Sequence, residues 1–136
     1  MDEPTQSLAG RFDEGAALFN SGDYFACHEA WEDVWRELHG ERRLFVQGLI
    51  QIAVALYHAT RWNTAGARGL FSRGVARLER FAPEYCGVNV GALLADIAPC
   101  RAAAELREPL PNGGLVLHYD PERTARELFG EPSSKG

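Results

Sequence analysis

Cysteine is scarce in this chain, and its few copies are badly placed for cross-linking. Cys27, Cys86 and Cys100 are odd in number and lack Cys-x-x-Cys spacing, which argues against a disulfide framework and against a cysteine zinc site. No apolar run reaches the roughly 20 residues of a membrane span. The most apolar stretch, residues 44–59, carries Gln47, Gln51 and His58 and reads as a buried helix. Basic residues are outnumbered, 14 against 19 acids for a net charge of -5, so the overall field repels phosphate backbones and nucleic acid is not an expected partner. The start, Met1-Asp2-Glu3-Pro4, is acidic where a signal peptide is basic and no apolar core follows it, so a reducing, cytoplasmic setting is expected. Also missing are a Gly-rich phosphate loop, a Gly-x-Ser-x-Gly elbow and a Walker sequence, which removes the motif-level case for the common nucleotide-binding and serine-hydrolase chemistries.

What remains is ordinary globular composition, 46% hydrophobic and 24% charged, in a length that fits one domain with a real core. The periodicity is helical throughout. Phe12, Ala16 and Phe19 recur at spacings of four and three, predicting a first helix from Leu8 to Phe19 that ends at Asn20-Ser21-Gly22. Asp23 is a good N-cap for a second helix through Leu38, with Gly40 as its stop. A third, from about Glu41 to Trp62, is apolar around most of its circumference and should be central. Asn63 and Thr64 cap a fourth ending near Phe81, whose Gly66, Gly69 and Gly74 cost helix stability that close packing could offset. A fifth spans roughly Val90 to Glu108, with Pro99 expected to kink or divide it. Beyond a loop at Pro109–Gly114, the stretch Leu115 to Tyr119 reads as extended, Asp120-Pro121 starts a last short helix, and Pro132 to Gly136 reads as a disordered tail. The expectation is an all-α fold, a compact bundle of four to five helices in a single domain.

One cluster of residues stands out. On a helix at about 100° per residue, His28 and Glu32 lie about 40° apart and Trp35 about 20° to the other side of His28. Glu29 lies about 100° round, at the edge of that face. On the third helix Gln47, Gln51 and His58 fall within about 40° of one another. Polar groups on a buried rod need partners, so helices two and three should meet along these faces. Their meeting could assemble His28, Glu32 and His58 as ligands of a divalent metal with a position open for water. Glu29 would then act on that water, with Trp35, Gln47, Gln51 and Asn63 as binding residues. The sequence here is His-Glu-x-x-Glu, not the His-Glu-x-x-His of metalloproteases, so the motif itself does not specify a hydrolase. Two competing readings are a metal-free small-molecule pocket and a purely structural hydrogen-bond network.

Charge is also segregated. Asp23 to Glu37 holds five acids and one base, whereas Arg61 to Arg80 holds five arginines and one acid. That split predicts adjacent packing of helices two and four. Arg73, Arg77 and Arg80 share a face that could meet an anion or an acidic partner, or simply be solvated. Cys27 lies about 100° round from His28, so a Cys-His nucleophile pair is not expected.

The pattern Phe19-Asn20-x-Gly22-x-Tyr24-Phe25-x-x-His28-Glu29-x-x-Glu32-x-x-Trp35, then Gln47-Gly48-Leu49-Ile50-Gln51-x-Ala53-x-Ala55-x-x-His58 and Asn63-x-x-Gly66-Ala67, resembles the family catalogued as domain of unknown function 309. The resemblance covers about Arg11 to Phe81 and implies a helical bundle. It implies no activity, and the residues from Pro83 onward fall outside it. A weaker likeness, from Leu18 to Tyr24 and the helix after it, is to tetratricopeptide-type helical hairpins, although no repeat of about 34 residues follows. The alternative function is therefore a helical interaction module, with a homo-oligomer or protein partner.

Overall fold

The computed structural model describes residues 6–131; the expected tail at residues 132–136 lies outside them. Six α-helices are found among the described residues: α1 (Leu8–Asn20), α2 (Tyr24–Glu37), α3 (Gly40–Thr60), α4 (Thr64–Glu79), α5 (Val90–Glu105) and α6 (Pro121–Glu127). The fold class is all-α as expected; the short helix expected after Asp120 forms, and counting it brings the total to six against the four or five given for the bundle. Side-chain caps set most of the starts. Ser7 accepts from the Gly10 amide, Asp23 from Ala26, Asn63 from Gly66, Asn89 from Ala92, and Asp120 from Glu122 and Arg123, each satisfying N–H groups that a helix leaves unpaired in its first turn.

Successive helices pack side by side: α1 on α2, α2 on α3, α3 on α4 and α4 on α5. The expected contact between helices two and four is therefore corrected, since α3 stands between them. Their charges are met elsewhere. Asp33 of α2 takes Arg11 of α1 at 2.7 Å, Arg68 of α4 takes Glu105 of α5 at 2.6 Å, and Arg80 takes Glu41 at 2.8 Å. Two small residues let α3 and α4 approach closely. A Cβ at Gly74 would lie 2.7 Å from Ile52 Cδ1, and one at Gly48 3.0 Å from Leu78, so the glycines that weaken helices locally let α3 and α4 press together.

The residues after α4 close over the helical layer. β1 (Glu84–Tyr85) and β2 (Val88–Asn89) form an antiparallel hairpin that the periodicity did not predict, being only two residues a side. Its turn residues, Cys86 and Gly87, have φ of 49° and 84°, as a tight hairpin turn requires. Val88 bridges Tyr119, so the piece expected to be extended is paired there. The Leu117 amide donates to Asn20 Oδ1 at 2.7 Å and the Tyr119 hydroxyl to Asp13 Oδ1 at 2.6 Å, tying this region to α1. The buried core is continuous from Phe12 through Leu49, Leu56 and Phe71 to Leu115, Leu117 and Leu128. Pro99 does not divide α5, which runs unbroken past it. Pro99 and Ala95, whose carbonyl loses its partner there, both lie on the exposed side of the helix, where water can take the place of the missing N–H.

Candidate functional site

The α2–α3 hairpin positions the candidate residues. α2 buries Tyr24, Cys27, Ala30, Trp31 and Val34 against the core, and that choice of inner face rotates Phe25, His28, Glu32 and Trp35 to its α3 side and outward. On α3 the residues at matching positions are half-buried: Gln47, Gln51, Val54, Tyr57 and His58. Between the start of α2 and the end of α3 lies a cleft of about 200 Å³ lined by Tyr24, Phe25, His28, Val54, Tyr57 and His58. The two expected histidines, far apart in sequence, thus face one small, mainly apolar space. The Phe25 ring lies tilted 5.5 Å from that of Tyr57, with His28 5.8 Å from Phe25 and His58 5.9 Å from Tyr57 between ring centroids.

His58 is held by Asn63 in a chain of contacts that begins with a helix cap. Asn63 Oδ1 accepts from the Gly66 amide at 3.1 Å, which turns the amide nitrogen of the same side chain toward His58. Asn63 Nδ2 lies 3.2 Å from His58 Nδ1. With Nδ2 as donor, Nδ1 must accept, so the single proton of the neutral ring sits on Nε2. Asn63 also donates its backbone N–H to the His58 carbonyl at 2.9 Å. A side chain at Gly66 would meet Asn63 Nδ2 at 2.6 Å and His58 Cδ2 at 3.0 Å, which gives the Asn-x-x-Gly spacing a physical reason.

His28 is held more loosely. Its Nε2 is 3.4 Å from Glu32 Oε1, too long for a strong hydrogen bond, and its Nδ1 is buried without a partner among the described residues. Glu32 also lies 3.9 Å from Arg36. Tyr24 reaches from the cleft into the core, where its hydroxyl lies against Gly114. Burial pushes the Tyr24 phenol up from its ordinary value, an effect the Leu115 backbone partly offsets, and the hydroxyl has no hydrogen-bond partner among the described residues.

Several expected site residues fall elsewhere. Glu32 and Glu29 do not line the cleft; Glu29 is exposed on α2. Among the described residues no three His, Cys, Asp or Glu side chains are placed to hold a metal ion, so the expected trio of His28, Glu32 and His58 is not gathered as a ligand set. The physical reason is the hairpin's geometry. Glu32 is one turn along α2 from His28, whereas His58 meets α2 near its first turn. Gln51 accepts from Arg77 Nε of α4 at 3.1 Å, and Trp35 carries the Arg43 guanidinium of α3 3.9 Å above its ring, so neither lines the cleft. Gln47 lies on the same stripe of α3, one turn from each of Arg43 and Gln51. Cys27 is fully buried and burial pushes its thiol far up, in keeping with the expectation that it forms no nucleophile pair with His28.

Sequence reasoning missed the aromatic wall. Tyr24 and Phe25 sit four and three residues before His28, Val54 four before His58, and Tyr57 beside it. The helical spacing that linked the polar residues would also have found Tyr24, Phe25 and Val54.

Residues 12–70 match the model of a domain of unknown function, DUF309. An uncharacterized protein of Bacillus subtilis (strain 168), YpuF, is 45% identical over 75 residues, which are 53% of this chain and 43% of that protein. An uncharacterized protein of Aquifex aeolicus (strain VF5) is 24% identical over 97 residues, 71% of this chain and 29% of that protein. The chain thus spans less than half the length of either relative. No helix among the described residues is long and apolar enough to cross a membrane. The matched segment holds the cleft, the clasped histidine and the residues that carry the resemblance, so it is over residues 12–70 that this chain is similar to the domain of unknown function DUF309.

Proposed function

We propose that the domain is a binding module whose α2–α3 cleft takes a small, largely apolar group bearing one hydrogen-bond acceptor. The observation that carries this reading is the clasp on His58. Asn63 spends a helix cap and an amide to fix which nitrogen of His58 carries the proton, on a ring that lines an aromatic cleft with His28 opposite. A ring serving only as packing needs no such control. The size of the cleft, about 200 Å³, suits a single ring: drug-sized ligands occupy roughly 300 Å³ or more, whereas benzene fills a cavity of about 150 Å³. The apolar lining favours a ring or short aliphatic group, and the His58 Nε2–H supplies one directional donor. Nothing in this reading requires a metal or the carboxylate of Glu29.

The test is a titration of the labelled protein with cyclohexanone, benzamide and benzene, with zinc and manganese chloride run in parallel, read by amide chemical shifts. Cyclohexanone and benzamide should perturb the start of α2 and the end of α3 more than benzene does, and His58→Ala should abolish the difference. Zinc or manganese bound stoichiometrically and lost in both His28→Ala and His58→Ala would replace this reading with a metal centre. No perturbation by any probe, with His58→Ala lowering only stability, would leave the cluster as a structural network.

A further inference from the structure

A second surface, on the same hairpin but away from the cleft, has a different chemistry. Arg43, Gln47 and Gln51 follow one another at single-turn spacing along α3, and Arg73 and Arg77 do so along α4. Arg77 Nε bonds to Gln51 Oε1 at 3.1 Å and joins the two rows. Trp35 closes the row on the α2 side by stacking under Arg43 at 3.9 Å. Five arginines meet carboxylates: Arg11 with Asp33, Arg36 with Asp33, Arg68 with Glu105, Arg80 with Glu41 and Arg123 with Glu127. Arg43, Arg73 and Arg77 do not, and unlike the other unpaired arginines, Arg42, Arg61, Arg101, Arg107 and Arg126, they flank one row of amides. Among the described residues no carboxylate lies within ion-pair distance of any of them; the side chain bonded to Arg77 is the neutral amide of Gln51, and the Glu41 carboxylate at the start of α3 is taken by Arg80.

We infer that this face of α2, α3 and α4 docks an acidic peptide segment of a partner protein. Charge complementarity carries the choice of partner. Three guanidinium groups on one face repel, and an anionic partner relieves that repulsion, in a molecule whose net charge is -5. Stacking leaves the in-plane edge of the Arg43 guanidinium free to grip a carboxylate with two hydrogen bonds. Gln47 and Gln51 each offer a donor and an acceptor, which suits the alternating C=O and N–H of a peptide better than a phosphate chain that can only accept. The acidic character of the rest of the chain works against a long polyanion such as nucleic acid.

The experiment uses the full chain at low ionic strength. It is titrated with a fluorescein-labelled peptide of alternating glutamate and leucine, with the same peptide carrying glutamine for glutamate, and with a thymidine single strand of equal length. The glutamate peptide should bind and shift amide signals along the outer side of α3. Arg43→Gln combined with Arg73→Gln should weaken it by about tenfold or more, while Arg101→Gln, on α5, should leave it unchanged. Each replacement keeps an unbranched polar side chain with good helix propensity, and circular dichroism with a melting curve confirms that each variant is folded. Binding that is equal for the glutamine peptide, tighter for the single strand, absent at millimolar peptide, or insensitive to the paired substitution would each overturn the proposal.

Discussion

Two tryptophans four residues apart on α2 live in opposite surroundings. Trp31 is fully buried between Phe12 and Phe19, at 5.6 and 5.4 Å between centroids, and its indole N–H donates to the Phe12 carbonyl at 3.1 Å. A Cβ on Gly15 would run into its ring, so α1 needs a glycine there for the two helices to meet. Trp35 is half-buried, its N–H is enclosed without a partner among the described residues, and an arginine lies over its face. The inner face of the hairpin is thus a closed core around a satisfied indole, with the Tyr24 hydroxyl left without a partner among the described residues, whereas the outer face keeps the unpartnered His28 and Trp35 nitrogens, unpaired charge and a cleft. Folding accounts for the first face, and the second has the features of a surface built to meet something else.

Four substitutions test that contrast. Trp31→Ala should have the largest effect, lowering stability by about 3–5 kcal/mol in chemical denaturation because it empties a large, closed site. A loss no greater than that of Trp35→Ala would end the distinction between the faces. Asn20→Ala should follow, at about 1–3 kcal/mol, since it strands the Leu117 amide that now donates to Asn20. Asn63→Asp separates the cap from the clasp. The cap survives, so stability should change by less than the roughly 1 kcal/mol expected for Asn63→Ala, yet the His58 ring proton should move to Nδ1, visible in imidazole nitrogen shifts. Trp35→Phe should be smallest, within about 0.5 kcal/mol of neutral, because it deletes an N–H that has no partner.

Alkaline pH offers a further check on the closed core. Burial raises the thiol of Cys100 from its ordinary 9.0 to about 11, and that of Cys27 further still. In the unfolded chain both ionise near their ordinary value of 9.0 while the folded chain keeps them neutral. Their contribution is therefore fully present below that pH and drains away as pH rises through the folded values. Denaturation midpoints should fall as pH rises from 9.0 to about 11, and Cys27→Ala with Cys100→Ala should flatten that fall. An equally steep fall in the double variant would place its origin elsewhere, with Tyr119, also raised by burial and by Asp13, as the next group to replace.

Most helix boundaries were legible because their causes are local. Asp23, Asn63 and Asp120 cap the helices they were expected to cap, and a cap needs only the next three residues. Gly40, expected to stop helix two, instead opens α3 at a φ of 64°, turning the chain between two helices. The β1–β2 hairpin was not legible, since two residues a side leave no period to detect. Nor was the fate of Pro99, which depends on whether the carbonyl it frees faces water. The candidate site was legible in part. Helical spacing singled out His28, His58 and Gln51, and capping singled out Asn63, but neither found the Asn63 contact with His58 or the Arg77 contact with Gln51, because a helical wheel gives direction without depth.

Residues close together in the chain were enough to set the class of fold, the helices and the two faces of α2 and α3, since caps and a period of 3.6 act within a few residues. Which side chains share a space was settled by how the helices pack. The approach of α2 to α3 puts His28 opposite His58 and leaves Glu32 a turn away. The placement of α3 between α2 and α4 parts the acids of one from the arginines of the other, and leaves Arg43, Arg73 and Arg77 without a carboxylate among the described residues. Those outcomes depend on helix separation and crossing, which are set by the packing of Trp31, Gly15, Gly48 and Gly74 across the whole core.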